Sequence, residues 1–345
     1  MLDNIRFSLP LWPGLHPKEI EEEVFPFLAE CGHLISDLYF TSRIPPFDSD
    51  AMGGIIVPEE RAVVMNNALA ISQEFNIPLS ATFNDITLSP SLVNYNTFVK
   101  HFRPLYEAGV VVITIPNTAW LRFGLKQQFP DLFVKNTILN RVQTAAQVAS
   151  LFEDGFDYIN LDRELMRDER TLKEIREAKQ VMEKKLNRKL YLSLLYNEGC
   201  EANCPIHADH YSYNLNRTIT DAPYFGSEMH DISPCIIKQD NMDLWHLKSA
   251  SIPSYYSELN RLSELVDVFK MHGRESKTAF YESVNIIRQF KRRELIDDPF
   301  RKILSILPDR DRKVWSKTIR NCRFNCWKCR VCEDTQEKIK ELKHV

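Results

Sequence analysis

Short apolar runs rich in β-branched and aromatic residues alternate with amphipathic stretches along most of the chain. The apolar runs predict eight strands, at 5–12, 36–42, 78–85, 110–117, 133–141, 157–164, 190–199 and 266–274. Between them, polar and apolar positions repeat with a helical period, for example in 17–30, 58–75 and 169–186. Strands and helices in alternation predict an α/β fold with a parallel sheet, and eight strands favour a (β/α)8 barrel over an open doubly wound sheet.

Two segments interrupt this alternation. The seventh connection, from Gly199 to Val266, carries a C-x3-C pair and is predicted as an insertion at the C-terminal face of the barrel. Residues 295–345 are too short for an independent domain, so we predict a barrel domain at 1–294 and a C-terminal extension at 295–345. Because the last barrel helix runs away from the C-terminal face, the extension can return to that face and bring its cysteines beside those of the insertion.

Six of the eight cysteines occur in two groups. Cys200 and Cys204 form the C-x3-C pair, and the C-x3-C-x2-C-x2-C run near the chain's end consists of Cys322, Cys326, Cys329 and Cys332. Thiolates this close can hold a tetrahedral zinc ion or an iron–sulfur cluster. The packed gaps favour a [4Fe–4S] cluster, with zinc as the alternative, and they leave open whether the six cysteines form one site or two.

Other residues of metal-binding type lie outside these two groups. His207 and His210 are spaced three residues apart after the insertion's cysteines, and they are either further ligands or residues that line a helix start. Cys31 and Cys235 stand in apolar or helix-end contexts, which predicts small buried side chains rather than ligands.

Several predicted strands end in polar residues that would point into the mouth of the barrel. Those that we predict to bind and polarise a substrate are Asp162, Arg163, Glu198, His272 and Arg274. Acids and cations together suit a small anionic, hydrogen-bonding substrate. The alternative for each residue is a salt bridge between neighbouring strand ends, which Asp162 could form with Arg141.

The composition is that of an ordinary soluble globular protein, with 44% apolar and 26% charged residues. A formal net charge of −3 gives no broad attraction to nucleic acid or anionic lipid. The N-terminus lacks a signal-peptide pattern and no uncharged run approaches the ~18 residues of a membrane span, so we expect a cytoplasmic protein. Close cysteines in a reducing compartment favour metal over disulfides, and G-x-S-x-G, P-loop and H-E-x-x-H motifs are absent.

Part of the chain, about 130–332, resembles a known family of barrel proteins. The resembling runs are INLDRELMRDERTLKEI, LYLSLLYNEGCEANCPIHADHYSY, ISPCIIKQDN and VDVFKMHGRE, and the family is named collagenase-like peptidases, peptidase family U-thirty-two. Cys200 and Cys204 match its barrel cysteine block, and the terminal cysteines match its shorter relatives. The resemblance implies a four-cysteine [4Fe–4S] cluster and oxygen-independent hydroxylation of RNA bases or the ubiquinone ring, with prephenate as oxygen donor in some members. The family's H-G-A and S-G-x-C elements are absent here.

Pattern and resemblance together predict an oxygen-sensitive iron–sulfur barrel enzyme that modifies its substrate by an oxygen-independent redox reaction, with hydroxylation as the favoured reaction. A peptidase, which the family name implies, is one alternative. Another is a non-enzymatic subunit that docks on a protein or RNA through the segment RKVWSKTIRNCRFNCWKCR, in which seven Lys and Arg residues are interleaved with Trp and Phe.

Overall fold

The chain forms a closed barrel of eight parallel strands, which confirms the fold predicted from the sequence. The computed structural model describes residues 5–12, 14–47, 58–197, 200, 202–204, 242–252, 256–273, 277–294 and 299–343. The strands are β1 (Phe7–Pro10), β2 (Ile35–Thr41), β3 (Leu79–Thr82), β4 (Val112–Ile115), β5 (Phe133–Asn136), β6 (Tyr158–Asn160), β7 (Tyr191–Leu195) and β8 (Val268–Lys270). They pair in chain order, and β8 pairs with β1 to close the barrel.

Helices connect the strands and continue past the barrel. The α-helices among the described residues are α1 (Pro17–Glu19), α2 (Phe25–Cys31), α3 (Pro58–Phe75), α4 (Leu92–Glu107), α5 (Ala119–Arg122), α6 (Leu125–Gln128), α7 (Ala145–Glu153), α8 (Glu169–Leu186), α9 (Met242–Lys248), α10 (Tyr256–Ser263), α11 (Lys277–Arg292), α12 (Pro299–Leu304), α13 (Asp309–Ile319) and α14 (Val331–Lys343). A π-helical stretch at Ile20–Val24 joins α1 to α2. Among the helices of this described part, none has both the length and the apolar character needed to cross a membrane.

Seven of the eight strands, all but β2, are shorter than the runs predicted from the sequence. At two of them, β5 and β6, the chain beyond the strand turns into a 3-10 helix. β6 stops at Asn160, and the Asp162 carboxylate caps a 3-10 helix at Arg163–Arg167 by accepting a backbone N–H at 2.9 Å. β5 stops at Asn136, and Ile138–Asn140 forms another 3-10 turn. Both turns follow the C-terminal ends of strands, so they shape the mouth of the barrel.

Apolar side chains on the outer faces of the strands pack against the helices. Phe83, just after β3, lies against Phe98 and Phe102 of α4, with ring centroids 5.1 and 6.2 Å apart. Phe98 also packs against Trp120, at 5.0 Å. Because side chains alternate along a strand, the outward position of Phe83 places Thr82 inside the barrel.

The inside of the barrel is polar through its middle. The strand register places the inward side chains in layers of four that come from alternate strands. One layer consists of Tyr39, Thr114, Asn160 and Lys270, and the next layer toward the strand N-termini consists of Ser8, Ser80, Lys135 and Ser193. Contacts across the barrel agree with this order, since the Lys270 ammonium lies 4.7 Å from the centre of the Tyr39 ring. Branched apolar residues usually fill such layers, so this interior departs from the common pattern.

The residues after the barrel surround a small core of their own. Helices α12, α13 and α14 enclose it together with α9, and its buried side chains are Leu247, Ile303, Leu304, Leu307, Trp315, Ile319 and Ile339. The cysteine run at 322–332 follows α13 and leads into α14. The cysteine run therefore lies between two helices, α13 and α14, that pack on this small core.

Candidate functional site

The cysteine run folds back on itself between α13 and α14. Arg323 and Phe324 both have left-handed backbone conformations, with φ of 50° and 52°. Asn325 Nδ2 donates to the Cys322 carbonyl at 3.1 Å, and the Cys326 N–H donates to the Phe324 carbonyl at 2.8 Å. Left-handed backbone is unfavourable for residues other than glycine, so the surrounding contacts hold the loop in this shape.

All four cysteines of the run line a single pocket. The pocket encloses about 330 Å³, including the part open to solvent, and Arg167 also lines it. Cys322, Cys329 and Cys332 are half-buried, whereas Cys326 is exposed. The fold therefore brings together the four thiols that the sequence spaces over eleven positions.

Arg167 connects the pocket to the barrel. Its side chain is 2% exposed, and its Nη2 donates to the carbonyls of Leu247 at 2.8 Å and Ser249 at 3.0 Å. The guanidinium lies 4.5 Å from the ring centre of Phe324 and 5.9 Å from that of Trp315. A buried cation held by carbonyls and aromatic faces places positive charge next to the thiols.

Loss of contact with water raises the pKa of two thiols in the pocket, that of the half-buried Cys332 and that of Cys326, whose residue is exposed overall but whose thiol lines the pocket. The Arg167 guanidinium opposes this increase in pKa at both thiols, and the Lys248 ammonium opposes it at Cys326. The Cys332 thiol donates to the Leu247 carbonyl at 3.5 Å. Two cations that favour thiolates therefore lie beside the pocket.

The insertion's cysteine pair lies against the loop of the cysteine run. Asn203 Nδ2 donates to the Phe324 carbonyl at 3.4 Å, and the Cys200 carbonyl accepts from the Ala250 N–H at 2.8 Å. Cys200 and Cys204 are half-buried, yet neither lines the pocket of the terminal run. The two groups are neighbours, and a ligand site shared between them stays a prediction.

The four thiols of the pocket are donors of the type that binds zinc or an iron–sulfur cluster. Within the described residues, no three His, Cys, Asp or Glu side chains lie close enough together to hold a metal ion. Four sulfurs around one zinc ion must lie about 4 Å apart, because each Zn–S bond measures about 2.3 Å. The sulfurs around an iron–sulfur cube lie further apart, since each binds a different iron. Which of the two centres the four thiols would hold stays a prediction.

The predicted mouth residues that the structure describes, Asp162, Arg163 and His272, have protein partners of their own. Asp162 is 4% exposed, and its Oδ2 accepts from Arg141 Nε at 3.1 Å, which is the ion pair that the sequence offered as the alternative to a substrate role. Arg163 is 6% exposed. His272 is half-buried just after β8, where its backbone N–H donates to Asn197 Oδ1 at 2.6 Å.

The remaining predicted residues divide into one that the structure places and several that it does not describe. Cys31 is buried, as predicted, and burial raises the pKa of its thiol to about 11, so it is protonated at neutral pH. The predicted residues that lie outside the described part of the chain are Glu198, Arg274, His207, His210 and Cys235.

Sequence reasoning missed an ion pair inside the barrel. Lys135 of β5 reaches across to Asp37 of β2, with Nζ 2.6 Å from Oδ2 and both side chains 5% exposed. The Ser8 hydroxyl donates to the same carboxylate at 3.1 Å, and the Tyr158 ring centre lies 4.4 Å from the Lys135 ammonium. Burial lowers the pKa of Lys135, and the Asp37 carboxylate opposes that decrease. Strands of parallel sheets are usually continuous apolar runs in the sequence, whereas polar residues occupy every second position in several strands of this chain. That alternation was the signal from which a polar barrel interior could have been predicted.

Comparisons with known proteins find similar structures but no family. No protein-family description matches the chain, and no curated protein matches it. Among solved structures, the U32 peptidase Mk0906 is similar with a TM-score of 0.49 and 12% identity, over 77% of this chain and 91% of that chain. A deoxyribose phosphate aldolase from Aeropyrum pernix is similar with a TM-score of 0.40 and 10% identity, over 84% of this chain and 91% of that chain.

A third similar structure is the HPPK-DHPS of Plasmodium falciparum with pteroate, with a TM-score of 0.34 and 10% identity. The similarity covers 88% of this chain and 50% of that chain. Likeness at these levels transfers no activity or substrate to this protein. The barrel fold is established by the strand pairing of the chain itself, and membership of the U32 family stays a prediction.

Proposed function

We propose that this protein is an iron–sulfur barrel enzyme that hydroxylates a small anionic or polar substrate without molecular oxygen. The observation that carries the proposal is the shared pocket of Cys322, Cys326, Cys329 and Cys332. These four cysteines would hold a [4Fe–4S] cluster. Zinc is the alternative, and the packed two- and three-residue gaps between the cysteines in the sequence favour the cluster.

The position of the pocket supports a role in catalysis. The Arg323 N–H donates to the Arg167 carbonyl at 3.1 Å, and the Arg323 guanidinium pairs with Asp168 at 2.8 Å. Arg167 and Asp168 follow β6 at its C-terminal end. In barrels of this type the active site lies at that face, so a cofactor in the pocket would stand beside the mouth.

Two basic side chains of the pocket would supply positive charge for substrate binding. Arg167 and Lys248 line the pocket, so they would attract an anionic substrate toward it. When bound, the cluster would supply electron transfer and a Lewis-acidic iron. Without molecular oxygen, a co-substrate that carries the oxygen must donate it, so that the C–H bond becomes C–OH and the co-substrate is reduced by loss of that oxygen.

Serine variants test which cysteines hold the cluster. We expect Cys329→Ser and Cys332→Ser, purified without oxygen, to lose most of their iron and visible absorption, whereas Cys31→Ala keeps both. Cys31 is the matched control because it is buried in the barrel core, away from the pocket. Iron content unchanged in both serine variants would refute the cysteine site.

A Cys200→Ser variant tests whether the two cysteine groups share one site. Loss of iron from this variant as well would show a shared site, whereas full iron content would leave a site made by the four cysteines of the terminal run.

A redox role is tested separately on the wild-type holoprotein. We expect dithionite to reduce the cluster and produce an electron paramagnetic resonance signal, because a [4Fe–4S] centre changes by one electron. If dithionite produces no electron paramagnetic resonance signal from the centre, a role in electron transfer is contradicted.

A second candidate function is suggested by one exposed side chain. Trp327 lies between two of the cysteines and is 83% exposed, and the Lys328 ammonium lies 5.2 Å from its ring centre. Arg323 and Arg330 are also largely exposed on this loop. An aromatic ring among cations can stack a base while the cations contact phosphates, as single-stranded RNA requires. RNA binding that weakens steeply with salt and is lost in Trp327→Ala would support this candidate.

A further inference from the structure

We propose that Arg167 donates a hydrogen bond from its Nε–H to a sulfur of the iron–sulfur centre and raises the reduction potential of that centre. This inference rests on the proposed function, because it requires a cluster in the pocket of the four cysteines. It goes further by giving one buried side chain of the barrel a role that the cysteines do not fill, which is to set how easily the centre accepts an electron.

The Arg167 side chain has one donor that the protein leaves unused. Its Nη2 donates to the carbonyls of Leu247 at 2.8 Å and Ser249 at 3.0 Å, whereas its Nε is buried and has no hydrogen-bond partner among the described residues. The side chain is only 2% exposed, so bulk water does not replace the missing acceptor. Buried N–H groups are almost always paired in native proteins, so this one needs an acceptor that the chain does not provide.

The unused donor belongs to a residue of the cysteine pocket. Arg167 lines this pocket together with all four cysteines of the terminal run. Its charge acts on two of their thiols, since the guanidinium opposes the increase in pKa at Cys326 and at Cys332. A cluster held by these cysteines would present sulfurs that accept hydrogen bonds. The Nε–H would therefore find its acceptor in the pocket that Arg167 already lines.

The positive charge of Arg167 would act on the centre without a compensating anion. Lys248, a second cation that lines the pocket, pairs with Glu333. Among the described residues, the Arg167 guanidinium pairs with no carboxylate and lies instead against the rings of Phe324 and Trp315. Reduction adds negative charge to a cluster, and a buried cation stabilises that charge because water screens it little. Net charge and hydrogen bonds to the sulfurs both set cluster potentials, so both properties of Arg167 favour the reduced state.

The fold holds Arg167 in place beside the cysteine loop. Its carbonyl accepts from the Arg323 N–H at 3.1 Å, which bonds its backbone to the residue that follows Cys322. Arg167 itself ends the 3-10 helix after β6, so the donor is positioned by the barrel and not by the loop that carries the cysteines.

Reduction potentials of the holoprotein test this role. Protein purified without oxygen is titrated with dithionite in the presence of redox dyes, and the reduced centre is followed by electron paramagnetic resonance. We expect Arg167→Met to make reduction at least tenfold less favourable, which lowers the potential of a one-electron couple by about 59 mV. An Arg167→Met protein with full iron content and the wild-type potential would overturn the proposal.

Two further variants separate this effect from a general change of charge or structure. Arg330→Met is the matched control, because it removes an equal charge beside Cys329 from a side chain that is 70% exposed. Solvent screens that charge, so the reduction equilibrium should change by less than about threefold. Arg167→Lys restores the buried charge and should have a higher potential than Arg167→Met. Equal potentials in the two Arg167 variants would contradict a role of the charge.

The wild-type protein offers a test that needs no variant to fold. With arginine labelled in its guanidinium by the heavy nitrogen isotope, we expect electron nuclear double resonance of the reduced centre to show a coupling to that nitrogen. A cluster-containing protein without this coupling would overturn the hydrogen bond. Wild-type protein that holds no iron and sulfide would instead refute the proposed function, so the metal content separates the two failures.

Discussion

At the residue scale, Arg167 joins three parts of the molecule through one side chain. It follows β6, donates to the carbonyls of Leu247 and Ser249 after β7, and packs on Phe324 and Trp315 of the extension. Because its charged guanidinium is buried, Arg167 loses its hydrogen bonds to water on folding, and the hydrogen bonds to these two carbonyls replace them. The extension and the barrel therefore depend on the same guanidinium.

We expect Arg167→Met to lower the free energy of unfolding by about 2–4 kcal/mol, because two buried carbonyls lose a charged donor. Arg170→Met is the matched control, since the Arg170 side chain is 87% exposed and its ion pair among the described residues is with Glu174, one helical turn away. The control should change stability by less than about 0.5 kcal/mol. Denaturant unfolding of the two variants gives the comparison, and equal stability would show that Arg167 does not hold the extension in place.

At the element scale, Glu258 joins α10 to the end of α13. Its side chain is 3% exposed and accepts from Arg261 at 2.8 Å and from Arg320 at 2.6 Å. The Arg320 carbonyl in turn accepts from the Glu169 N–H at 3.1 Å, at the start of α8. The Glu258 carboxylate thus links α10 to α13, and the Arg320 carbonyl links α13 to α8.

We expect Glu258→Gln to destabilise the protein by about 1–3 kcal/mol, since a neutral amide cannot compensate for two partly buried guanidinium groups. Glu264→Gln, at an exposed position just beyond the same helix, should have little effect. Thermal unfolding of both variants tests this difference. A Glu258→Gln protein as stable as the control would mean that the apolar core of the extension, rather than this ion cluster, fixes the helices.

Strand positions could be predicted from the sequence, whereas several strand ends could not. Each of the eight strands lies within one residue of a predicted run, because apolar β-branched and aromatic residues mark their buried centres. The ends at Asn136 and Asn160 depend on 3-10 turns that side-chain caps stabilise. An aspartate after a strand has many possible partners, and only the folded chain shows that Asp162 caps its own turn.

At the scale of the whole molecule, pairings between distant strands were beyond sequence reasoning. Lys135 and Asp37 are 98 residues apart, and they meet only because the barrel closes. The four cysteines of the run could be grouped from the sequence, since they are close together in it, and the structure places them around one pocket. Their role as ligands stays a prediction. Its position beside Asn203 and Arg167 depends on how the extension packs, which no local pattern specifies.

The measurement that tests the cysteine centre most directly is a count of iron, inorganic sulfide and zinc per chain in protein purified without oxygen. We expect about four iron and four sulfide per chain, with little zinc, because a [4Fe–4S] cube contains four of each. One zinc ion per chain without inorganic sulfide would contradict the iron–sulfur centre and make the cysteine run a structural zinc site.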